Sequence, residues 1–75
     1  MIGRKKSALP PTAEAARRKV DKIPASEVVL WTDTAGAGVA RALSAYMRDG
    51  NREDLEEAYE AVQAMLGCLE SLRSR

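Results

Sequence analysis

Between Asn51 and Arg75 the apolar residues Leu55, Tyr59, Val62, Leu66 and Leu69 follow one another in steps of 4, 3, 4 and 3. That spacing places them on one stripe of an α-helix and predicts a helix over 52–73. Ala58, Met65 and Leu72 widen the stripe on one side. Arg52, Glu53, Glu56, Glu57, Glu60, Gln63, Glu70 and Arg73 fall on the opposite face, where water solvates them. A helix with a single apolar face requires a partner for it, so the rest of the chain is read as packing against this stretch.

The punctuation before it is Asp49-Gly50-Asn51. Gly50 suits the left-handed position that closes a helix, and Asn51 suits the cap of the next, with Asp54 three residues on as a weaker capping box. So short a connection makes its two helices antiparallel neighbours. The fold class expected is mainly α: an antiparallel helical hairpin of about 34–49 and 52–73.

Residues 26–49 admit two readings. As one helix, Val28, Trp31, Ala35, Val39, Leu43 and Tyr46 lie on a continuous stripe. As two elements, Val28, Val29, Leu30 and Trp31 form a short strand at 27–32, and Thr32 or Asp33 caps a new helix. Gly36 and Gly38 each cost about 1 kcal/mol inside a helix, and the β-branched cluster adds to this. The balance tips toward a break near Thr32 and Asp33. In both readings Ala35, Gly38, Ala42 and Ala45 form a ridge of small side chains that lets another helix come close.

Upstream, Thr12 can cap a marginal helix over 13–22, with Glu14 in its first turn, Lys19 and Lys22 near its end, and Pro24 as its stop. Its apolar face is alanine plus Val20 and Ile23, little to lay over the hairpin. The organisation expected is a basic N-terminal arm over 1–24 and a hairpin domain over 25–75. A hairpin leaves apolar flanks bare, so dimerisation into a helical bundle is the expected way to cover them.

Composition sharpens this picture. The chain has 75 residues, no Phe, one Trp and two Tyr, and much of its apolar content is alanine. Such a chain makes one small domain of marginal stability, helical rather than sheet-forming. The net charge of +1 hides a split: residues 1–23 carry +5 and residues 24–75 carry −4. Arg4, Lys5, Lys6, Arg17, Arg18 and Lys19 are therefore candidate contacts for nucleic acid or an acidic partner. The interface candidates are Trp31, Val39, Leu43, Tyr46, Leu55, Tyr59, Val62, Leu66 and Leu69. Trp31 is read first as core filling at the mouth of the hairpin and second as a binding anchor.

Little chemistry suggests itself. There is no histidine and one cysteine, which excludes a Cys/His zinc site and imidazole catalysis within one chain. Cys68 sits just off the stripe as a partly covered residue or the site of an intermolecular bridge. The carboxylates of 53–60 read as a solvated face. No apolar run reaches the roughly 20 residues that span a bilayer, and the cytoplasm is the default compartment. Asp33-Thr34-Ala35-Gly36 resembles a switch segment of small GTPases, but no phosphate-binding Gly-x-x-x-x-Gly-Lys-Ser/Thr loop accompanies it. No cofactor, metal or small-molecule substrate is expected.

In its two-element reading, the order of basic arm, strand, helix, glycine turn and helix over residues 27–72 resembles the ribbon-helix-helix repressors. The resemblance implies a dimer that lays paired strands in the major groove of DNA, with Val28, Val29, Leu30 and Trp31 at strand positions that are usually polar in that family. Two functions are thus expected in order. The first is a non-enzymatic helical interaction module, adaptor or regulatory in role, that self-associates or binds a larger protein. The second is a DNA-binding transcriptional regulator of the ribbon-helix-helix type.

Overall fold

The computed structural model describes residues 9–75. The described residues form three helices and no strand: α1 over Pro11–Val20, α2 over Ala25–Asp49 and α3 over Arg52–Arg73. The basic residues Arg4, Lys5 and Lys6 lie outside the described part.

Helix α1 begins one residue before the expected Thr12 cap. Pro11 occupies its first position with Pro10 in extended geometry before it, and Glu14 N–H donates to Pro10 C=O at 2.9 Å. Proline is preset for that position and has no N–H to leave unpaired. The helix ends at Val20, and Ile23 N–H donates back to Val20 C=O at 3.2 Å before Pro24. A residue preceding proline is steered away from helical geometry, and α1 has the same ten residues' length as 13–22 but lies two residues earlier.

The break anticipated near Thr32 and Asp33 is absent. Residues 25–49 form one helix, so the strand at 27–32 does not form. The hydroxyls that could have capped a new helix turn back into this one: Thr32 Oγ1 donates to Val28 C=O at 2.8 Å, and Thr34 Oγ1 to Leu30 C=O at 3.1 Å. A lone strand would leave its backbone groups unpaired, whereas a helix pairs them internally. Gly36 and Gly38 are tolerated because they lie against α3. A Cβ on Gly36 would sit 3.8 Å from the Met65 side chain, and one on Gly38 would sit 3.8 Å from Ala61 Cβ. As α2 ascends from 36 to 38, its neighbour descends from 65 to 61, so the two helices run in opposite directions. Gly50 joins them with φ of 70°, and its N–H donates to Tyr46 C=O at 2.7 Å. Asn51 takes the cap position of α3 without a side-chain cap bond.

Packing departs from the expected stripe. The α2–α3 seam uses the small flank of α3, including Ala58, Ala61 and Met65, against Val28, Gly36, Gly38 and Ala42 of α2. The short side chains let the axes approach, where the leucines and Tyr59 would hold them apart. α1 packs on the other flank of the C-terminal half of α3. A Cβ on Gly67 would run into the Ala13 carbonyl oxygen and lie 2.9 Å from Arg17 N and 3.0 Å from Ala16 Cβ. At its far end Ser71 Oγ donates to Asp21 Oδ1 at 2.5 Å, and Arg75 Nη2 donates to Val20 C=O at 2.8 Å.

The core sits where the three helices meet, with Val20, Val28 and Cys68 buried and Ile23 and Leu72 packed around them. Its largest fully buried side chains are Val20, Val28 and Ser71. The Cα trace measures 42 × 34 × 14 Å. Helix α3 lies in the middle, with α1 and α2 both packed against it.

Candidate association surface

The α2–α3 pair has two sides, and the seam assigns residues to each. On α2 the seam line Val28, Ala35, Ala42 repeats every seven residues. The residues just before it, Thr34 and Arg41, line concavities on one side. The residues just after it, Val29, Gly36 and Leu43, therefore lie on the other, and Met47 is one turn beyond Leu43. On α3 the seam line is Ala58, Met65, Leu72. Glu57 and Ala64 precede it and line the same concavities. Tyr59 and Leu66 follow it, on the stripe with Leu55, Val62 and Leu69. Because the helices are antiparallel, the residues that follow each seam line fall on one common side.

That outer side carries Val29, Leu43 and Met47 from α2 and Leu55, Tyr59, Val62, Leu66 and Leu69 from α3. All eight are exposed, from 37% for Leu55 and Leu66 to 81% for Met47. On average they are about half exposed. With roughly 150 Å² for a free large apolar side chain, the lower end of the aromatic range, they leave about 600 Å² bare. About 600 Å² is the upper end of the largest apolar patch on an ordinary monomer, and such patches are often functional.

The other side holds a groove of about 620 Å³ between α1 and α2, floored by Ala64 and Cys68 of α3. Leu30 and Trp31 form its α2 wall, and Thr12, Ala16 and Lys19 its α1 wall. Trp31 is 51% exposed, so it does not fill the core as expected. The interface candidates read from sequence are therefore split. Leu43 and the five α3 residues share the outer side, Trp31 faces the groove, and Val39 and Tyr46 are half-buried along the seam face of α2.

The basic candidates of α1 are dispersed. Arg17 Nε lies 3.7 Å from Asp21 Oδ2, Arg18 Nε lies 3.6 Å from Glu14 Oε2, and Lys19 edges the groove. The pattern gave no notice of Val29 and Met47, whose outward placement depends on the course of the seam. Gly67 also escaped notice, although a glycine inside a helix costs about 1 kcal/mol and so signals close packing. Cys68 is buried at 2% exposure rather than partly covered. Among the described residues no three His, Cys, Asp or Glu groups gather as metal ligands, and no helix is long and apolar enough to cross a membrane.

Comparison with protein-family models, with curated proteins and with solved structures returns no match.

Proposed function

We propose that this chain is a small non-enzymatic interaction module, an αα-hairpin braced by α1, that works by offering the outer side of α2 and α3 to another helical surface. The observation that carries this reading is the row of eight large apolar side chains left about half exposed on one side of the α2–α3 pair. Burial of apolar area is worth about 25 cal/mol per Å², so leaving 600 Å² wet forfeits a large share of the stability open to so small a domain. Covering that side removes this apolar area from water. The role is adaptor-like or regulatory: binding changes the assembly, and no bond is made or broken.

The test is light scattering at high micromolar concentration, with wild type and Leu66→Asp compared. Wild type is expected to assemble, and Leu66→Asp to stay monomeric because a carboxylate in the middle of the patch cannot be buried unpaired. Identical monomeric masses and identical melting curves for the two proteins would remove the proposal.

The ribbon-helix-helix reading is not carried forward, because its recognition element requires a strand where α2 is helical.

A further inference from the structure

We infer that the groove between α1 and α2 is a binding site for a small amphiphile, an apolar chain that ends in one anionic group. The groove lies on the opposite side from the outer patch, so either surface can be lost without the other. Both of its walls stand on α3, and the space between them, about 620 Å³, is of the size that takes small molecules. The floor is Ala64 and Cys68, and Ala16 lies on the α1 wall between Thr12 and Lys19, so short side chains give the groove its depth. Leu30 and Trp31 stand along the α2 wall with 64% and 51% of their surface exposed. They offer an aliphatic and an aromatic face to whatever enters.

The lining sets the polarity of the occupant. Among the described residues around the groove, Lys19 carries the one charge, and no acid joins it there. The other cations of α1 have carboxylates beside them on the edge turned away from the groove: Arg17 lies against Asp21 and Arg18 against Glu14. Lys19 enters neither pair. An exposed ammonium at the rim of an otherwise apolar trough suits a ligand that keeps its anionic group at the wet edge and lays its chain along the floor. The length favours a small molecule over a partner helix. Seven residues from Thr12 to Lys19 span about 10 Å of helix, two turns, where an ordinary helix runs to three or four.

The experiment follows the emission of Trp31, the chain's one tryptophan, while the full chain is titrated with decanoate or with decyltrimethylammonium, both below micelle formation. Decanoate is expected to give a saturable blue shift as Trp31 leaves water, and the cation none over the same range. Lys19→Met should weaken decanoate binding by about fivefold, the upper end for an exposed ion pair, and Lys19→Glu should reverse the preference. Circular dichroism checks that both variants keep their helicity. Leu66→Asp, on the outer side, should titrate as wild type. Equal responses to the two amphiphiles, an unchanged decanoate titration in Lys19→Glu, or no shift at all would overturn the inference. So would a decanoate response lost in Leu66→Asp, which places the amphiphile on the outer patch. A response that appears only in Ile2→Asp would overturn it by giving the groove to the chain's own N-terminal residues.

Discussion

The two flanks of α3 solve the same problem in opposite ways. Toward α1, contact is made by the smallest side chains in the helix. Gly67 meets the α1 backbone directly, and Ser71 and Arg75 tie its last turn to Asp21 and Val20. On its outer flank, Leu55, Tyr59, Val62, Leu66 and Leu69 stay 37–66% exposed. A self-sufficient monomer places its large hydrophobes inside and its small ones wherever they fit. Here the fully buried side chains are small, with Ile23, Met65 and Leu72 partly covered beside them, and leucine and valine side chains, Met47 and Tyr59 stay exposed on α2 and α3.

The contrast can be broken first on its tight side. Gly67→Ala is expected to destabilise the chain by about 1–3 kcal/mol, as overpacking does, despite the gain of about 1 kcal/mol in helix propensity. Because the new methyl collides with α1 and not with a second copy, urea denaturation should give the same loss at every protein concentration. Leu69→Ala probes the open side. Half exposed in the single chain, this leucine should matter little there, whereas in the assembly its truncation should cost about 2 kcal/mol, the low end for buried leucine. Melting temperatures at two concentrations check this: the variant should fall behind wild type only at the higher one. Trp31→Ala is expected to have the smallest effect, within about 0.5 kcal/mol. Trp31 stands in the groove on the far side, so the assembled mass should be unchanged.

How much was legible follows from which interactions are local. The turn at Gly50 could be read because a left-handed glycine and a following cap residue signal themselves within three positions. The small ridge of Gly38 and Ala42 was legible for the same reason, as was the existence of α1. The continuity of α2 was not. The β-branched run at Val28 and Val29 and the hydroxyls of Thr32 and Thr34 favour a break locally, and the packing of α2 along α3, which brings Gly36 close to Met65 and Gly38 close to Ala61, is not visible in that local pattern. The α3 stripe was visible as an apolar surface, but periodicity shows only that a face wants covering. The direction it points is set by which neighbouring line of residues α2 selects. Once Ala58, Ala61 and Met65 form the seam, Leu55 through Leu69 must turn away from it.

The burial of Cys68 carries one more consequence. Its side chain is held beneath Val20 of α1 and beside Val28 of α2, with 2% of the residue in contact with solvent. The chain's single sulfhydryl is therefore a natural stopwatch for the packing of the three helices: each time α1 or α2 lifts from α3, the sulfur comes within reach of an alkylating reagent.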